Sequence, residues 1–313
     1  MSRLKRLDDF QQRHSALALP IAVVKKFSDD GAGNYAALIA YYAFFSLFPL
    51  LLLLVTILGF VLQGDPAAQD AVVKSALKDI PVVGGQVEAH ALHGSGLGLA
   101  IGIVGTVLAG LAVTLAAQEA FNGVYAVPRK HRPNFLAARL RGLGMLAALG
   151  LLQLVSTVAS GLVAGGLGGG ALTVAGIALS LLLNVVLFFA TFRLMVDSSV
   201  PTRELWPGIA AAAVAWEVLQ AVGGVYVEHV IRGASATYGT FATVIGLLTW
   251  LFLGARVLVY AAEMNTVLTR RLWPRSLFEP PTAADQKTLH ALAKVEERTD
   301  DERIDVHFEP PDS

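Results

Sequence analysis

The stretch AYYAFFSLFPLLLLLVTILGF, residues 40–60, is the most hydrophobic run in the chain, and it holds a proline at position 49. In the interior of a soluble helix, proline removes one backbone hydrogen bond and clashes with the preceding turn, at a cost of about 3 kcal/mol. Inside a bilayer the same residue is tolerated, because neighbouring helices and serine side chains satisfy the carbonyl it frees. That carbonyl belongs to Phe45, and Ser46 sits beside it. The run is therefore read as a membrane helix broken near its middle, and Ser46 and Pro49 become candidate substrate-binding residues.

Composition agrees. The 313 residues are 55% hydrophobic and 15% charged, with no cysteine and a formal net charge of zero. Soluble domains average about 25% charged residues, so the deficit points to lipid. Zero net charge argues against a dedicated nucleic-acid binder, and the missing cysteines exclude disulfides and thiolate metal sites. Six stretches are long and apolar enough to cross a bilayer as helices: 36–63, 97–117, 140–164, 171–193, 207–230 and 239–268. None alternates as a membrane strand does, and 98–117 offers no polar face for a soluble bundle. The fold class is all-α, a polytopic bundle of six transmembrane helices.

Basic residues orient it. Sixteen lysines and arginines fall in the N-terminal arm, the 129–141 loop, the link after the fourth span and the end of the sixth, against three in the other loops. The positive-inside rule then places both termini in the cytoplasm. Residues 1–35 form a charged arm with a short interfacial helix in PIAVVKKFSDD, and 36–270 form the membrane domain. An outer-leaflet helix is expected at 67–80 and a glycine turn at 166–170. Residues 271–313 read as an acidic, disordered tail, since ten acidic and four basic residues follow Ser276. No cleavable signal peptide is apparent at the N-terminus.

Small residues at Gly98, Gly102, Thr106 and Gly110 recur every four positions, a spacing that lets helix backbones approach closely. Packing does not explain the ionisable residues inside spans, which mark candidate sites with a partner to be named. Glu217 in span five and Arg256 in span six fall at one depth and are expected to pair, with Gln220 on the face of Glu217 and Tyr260 and Glu263 on that of Arg256. Glu263 and Asn265 lie nearer the cytoplasmic end, where Arg193 is the expected partner of Glu263. Gln118, Glu119, Asn122 and Tyr125 form a polar cluster where span two leaves the membrane. These groups are either structural salt bridges and helix-end anchors, or the lining of a polar cavity; both readings stand at this point. His90 and His93 share the first external loop without a third ligand, and no H-E-x-x-H, G-x-S-x-G or phosphate-cradling motif occurs. Neither a metal, a cofactor nor an enzymatic activity is expected; membrane lipids are the expected partners, and homo-oligomerisation stays open.

Four blocks, NYAALIAYYAFFSLFPLLLLLVTILGF, FNGVYAVPRKHRPNFLAARLRGL, PGIAAAAVAWEVLQAVGGVY and YGTFATVIGLLTWLFLGARVLVYAAEMN, resemble in order and spacing the YihY/virulence factor BrkB family. The resemblance covers about 30–270. It implies a six-span bacterial inner-membrane protein linked to envelope integrity, with lipid movement proposed for relatives. The matching positions are Ser46, Pro49, Asn122, Tyr125, Arg132, Pro207, Gly208, Tyr226, Tyr238, Gly239, Trp250, Glu263 and Asn265. Two departures stand out: FRLMVD keeps Arg193 but lacks the family's tyrosine, and YAAEMN has alanine where relatives tend to have glycine. The family's ribonuclease label finds no support in the residues, because nuclease chemistry needs clustered metal-holding side chains.

Overall fold

The computed structural model describes residues 3–61, 96–164, 170–196, 200–226, 239–278 and 280–308, and among these every regular element is helical. In chain order they are α1 (Arg3–Arg13), α2 (Ser15–Asp29), α3 (Ala32–Val61), α4 (Gly96–Val124), α5 (Phe135–Ala164), α6 (Gly170–Met195), α7 (Trp206–Tyr226), α8 (Thr240–Thr269) and α9 (Ala283–Lys294). Ala32–Val61, Gly96–Val124, Phe135–Leu152 and Val244–Thr269 are long and apolar enough to cross a membrane, and Leu181–Met195 is a shorter apolar helix. At 1.5 Å per residue, α3 is about 45 Å long, well beyond the roughly 30 Å hydrocarbon core. The expected helix at 67–80, most of the 166–170 turn, His90, His93 and Tyr238 lie outside the described residues.

The chain divides into two compact units. One comprises Met1–Ala36, Ala117–Trp216 and Arg256–Ser313, the other Ala37–Ala116 and Glu217–Ala255. In the second unit, α3 and α4 meet at glycine. A Cβ on Gly102 would lie 2.9 Å from the Cα of Leu53, and one on Gly105 would lie 2.9 Å from Cβ of Pro49. The small-residue stripe is therefore a packing seam, with Gly105 added to the expected set. This corrects the reading of Pro49. Helix α3 runs unbroken across it, the pyrrolidine ring lies against α4, and the Ser46 hydroxyl donates to Ala43 O at 2.7 Å rather than to the carbonyl of Phe45. Thr56, Thr114 and Thr249 likewise donate to carbonyls three or four residues back in their own helices. In this way a polar side chain sits in an apolar helix without leaving a donor unmet.

In the first unit, α2 lies against the end of α8. Ala18, Ala22 and Lys26 recur every four residues and are all buried, which puts them on one helix face. Ala22 packs with Val267 and Leu272, flanked by Leu19, Val23 and Trp273. Gly31, in the left-handed region at φ +61°, turns the chain from α2 into α3.

Over the described residues 271–278 and 280–308 the tail is ordered, against the expectation of a solvated coil. Thr282 and Asp285 cap each other in a capping box that starts α9. Asp285 also accepts from Lys25 Nζ and Arg275 Nε, both at 2.8 Å, and from the Ser276 amide at 2.9 Å. Arg275 reaches on to Asp29 at 2.7 Å. In α1, Asp8 accepts from the Leu277 amide and the Ser276 hydroxyl, both at 3.0 Å. Further along, the amides of Arg129 and Lys130 donate to the carbonyls of Val295 and Glu297, and Lys130 pairs with Glu297 at 2.9 Å. Part of the acidic surplus that suggested disorder is matched by basic residues of the arm and the 129–132 loop.

Burial alone would raise the pKa of Asp285, but Lys25, the Ser276 amide and Thr282 outweigh it and hold the carboxyl well below its usual range. The unfolded value is about 3.9, so the stabilisation is whole above that pH and is lost as pH falls through the lower folded value. Proteolysis of the 276–308 segment should therefore be slow at neutral pH and accelerate below about pH 4. Asp285→Asn should be cleaved quickly already at neutral pH, with a flatter pH profile; identical profiles for the two proteins would refute this.

Candidate functional site

At the Thr269 end of α8, the first unit buries an ionic cluster. Lys26 is 3% exposed and Glu263 is fully buried. The Lys26 ammonium donates to Asp30 Oδ2 at 2.5 Å, Val124 O at 2.8 Å and Glu263 Oε2 at 2.9 Å, so all three protons are used. Asp30 Oδ1 and Glu263 Oε1 are buried and receive no hydrogen bond. One cation thus faces two carboxyl groups, and a surplus buried charge is expensive. Burial raises the pKa of Asp30 against the pull of Lys26.

Beside it lies a second network. Asn265, fully buried, donates from Nδ2 to the Tyr125 hydroxyl at 2.6 Å and accepts the Gly208 amide on Oδ1 at 3.0 Å. Helix α7 begins Trp206-Pro207-Gly208. Amides in a helix's first turn have no partner within the helix, and proline suits that turn because it lacks one; Asn265 caps the Gly208 amide. Tyr125 is presented by the exit from α4, where Ala126 at φ +46° lets the amides of Ala126 and Val127 reach the carbonyls of Gly123 and Asn122. Arg271 at φ +52° ends α8 in the same way, with Leu272 bonded back to Val267.

One turn and more up α8, Tyr260 stacks on Phe27 with ring centroids 3.9 Å apart. The Arg256 guanidinium donates to the Tyr260 hydroxyl at 3.4 Å and lies 5.6 Å from the centroid of Phe27. That geometry is within range of a cation–π contact.

The structure thus brings together Arg256 with Tyr260, and Asn265 with Tyr125, and places Glu263 within the same stretch of α8. Asn122 is buried at the α4 exit. Glu119 pairs with Arg132 at 2.6 Å, half exposed and apart from the buried cluster. Arg193 is exposed and is not the partner of Glu263; a buried carboxylate needs a desolvated donor, and Lys26 supplies it. Ser46, Pro49, Glu217 and Gln220 belong to the second unit. Sequence reasoning missed Lys26, Phe27 and Asp30 as site residues. Their signal was present: in PIAVVKKF, Lys26 continues the four-residue spacing of Ala18 and Ala22 on an otherwise apolar face. Among the described residues, no group of three or more histidine or acidic side chains is arranged to hold a metal ion.

Several known proteins are similar to this chain in sequence. A UPF0761 membrane protein of Pseudomonas paraeruginosa is 27% identical over 270 residues, 82% of this chain and 64% of its own length. Another, from Pseudomonas aeruginosa, is 27% identical over 264 residues, covering 80% of this chain and 62% of its own length. A putative ribonuclease-like protein of Bacillus subtilis is 26% identical over 90 residues, 29% of this chain and 32% of its own length. The chain thus spans less than two thirds of the length of these relatives. No solved structure matches it. Residues 23–286 match the virulence factor BrkB family, a stretch that holds the Lys26 cluster, the Asn265 network and the Arg256–Tyr260 pair, and the chain is a membrane protein belonging to that family.

Proposed function

We propose that the protein is a six-span inner-membrane protein of the cell envelope, with both termini cytoplasmic, that binds or translocates an amphipathic substrate such as a phospholipid. The observation that carries the proposal is Arg256, a guanidinium within the apolar Val244–Thr269 helix, held over two aromatic rings. An arginine at such a place is expensive to insert and defaults to a substrate pathway or an ion pair. In this reading Arg256 attracts an anionic headgroup, Glu217 is a second ionisable group within the apolar spans, and the lipid passes without covalent change.

The test is reconstitution of the full chain into vesicles containing a fluorescent phospholipid, followed by quenching from outside. Loss of the protected signal should be faster than in empty vesicles, and slower again with Arg256→Gln or Glu217→Gln. A new chemical species in the lipid extract would replace this reading with a lipid-modifying enzyme. Neither movement nor chemistry would leave a membrane scaffold.

A further inference from the structure

Between the arm, the end of α8 and the tail helix lies a cavity of about 310 Å³, lined by Lys26, Asp30, Ala126, Arg270, Leu272, Lys287, Thr288, Ala291 and Leu292. All of these residues belong to the first unit. Its charges are not equivalent. Lys26 spends its three protons on Asp30, Glu263 and Val124 O. Arg270 uses one nitrogen on Tyr125 O at 2.8 Å and has no ion pair among the described residues, leaving the rest of its fork available. Lys287, exposed on α9, has neither an ion pair nor a hydrogen bond among the described residues. Two cations with no ion pair among the described residues, one at the end of α8 and one on the next helix, α9, therefore line one small cavity, which Asp30 also lines.

We propose that this cavity is a binding site for a phosphate group, either free or as the headgroup of a membrane lipid. The chemistry is specific. A guanidinium fork matches a planar pair of phosphate oxygens, and an ammonium adds a point charge from the other wall. Size limits the ligand: ligand pockets run from about 300 to 1,000 Å³, so this one takes a phosphate and its ester carbon but no large ligand. A nucleic-acid strand would need an extended basic stripe, whereas this lining alternates its charges with Ala126, Leu272, Ala291 and Leu292. The exit turns of α4 and α8 set the walls, because Ala126 stands at one and Arg270 and Leu272 at the other. A bound phosphate would bridge Arg270 at the end of α8 to Lys287 on α9, so it would add to the stability of the docked tail.

The test uses the full chain in an uncharged detergent, with thermal unfolding followed as inorganic phosphate, glycerol 3-phosphate or detergent-dispersed phosphatidylglycerol is added. Each is compared with chloride at the same ionic strength. A saturable rise in Tm with at least one phosphate probe, absent with chloride, is expected. Lys287→Gln, a change at an exposed residue with no bonds to lose, should shift the midpoint at least tenfold, and Arg270→Gln should shift it further. A response to the lipid alone assigns a headgroup; a response to the free compounds assigns a soluble phosphate ester; either supports the site. No rise, a rise matched by chloride, or an unchanged midpoint in Lys287→Gln would overturn it. Only the lipid arm rests on the function proposed above. The titration reads binding without movement, so its failure and that of the vesicle assay are told apart.

Discussion

Lys26→Met should unfold the first unit. The substitution keeps the length of the side chain and removes the one cation that Asp30 and Glu263 share, together with a donor to Val124 O. Breaking a buried pair by removing one partner costs about 3–5 kcal/mol, a large part of a domain's stability. The detergent-purified variant should therefore show a sharply lowered Tm or fail to give a monodisperse peak. The triple change Lys26→Met, Asp30→Asn, Glu263→Gln removes every charge from the cluster and should recover most of the loss, since replacing a whole buried ion group is often close to neutral. A Lys26→Met protein that melts with the wild type would show that the cluster is hydrated and open. A triple variant no better than the single would show that the loss comes from packing.

The second large effect is expected at Gly208. A Cβ there would lie 2.7 Å from both Asn265 Cβ and Phe192 Cε1, and 3.0 Å from Ala261 O. Real side-chain carbons essentially never come so close, and none of these neighbours is the free end of a flexible chain. Gly208→Val must push α7 away from α8 and pull its amide off Asn265. Overpacking of this kind costs about 1–3 kcal/mol, and leaving buried polar groups unmet adds about 1–3 more. Thermal unfolding should show a drop in Tm well beyond that of Gly144→Val, because a Cβ at Gly144 meets nothing within 4 Å. Equal drops at the two glycines would remove the close approach as the cause.

The helical class was written in the apolar runs, and the first four spans start within one to five residues of α3 to α6. Ends were less legible. Span two was expected to stop at 117, yet α4 continues to Val124 through Gln118, Glu119 and Asn122. Hydropathy falls where lipid ends, while backbone hydrogen bonds carry the helix on into the protein interior of the first unit, where Gln118, Phe121, Asn122 and Val124 are buried. Residues on one helix were easy to group, so Arg256 with Tyr260 followed from spacing alone. Partners on distant segments were not. Lys26 and Glu263 are 237 positions apart, and no local pattern links them. The tail misled for a related reason. Its net charge was counted without Lys25, Arg129 and Lys130, the cations that meet Asp285, Glu296 and Glu297.

The clamp between the ends of the chain also dictates an order of events during synthesis. Asp8 leaves the ribosome early and waits for the Leu277 amide, 269 positions later. Until then the arm's polar side chains have only water or lipid headgroups for company. The first unit therefore closes only once residue 277 has been made, after the apolar spans that precede it. Long loops must be closed before such distant contacts repay the ordering they require, so this step is slow and exposed to proteases. A message truncated before codon 276 would yield membrane-inserted protein whose N-terminal arm never finds its dock.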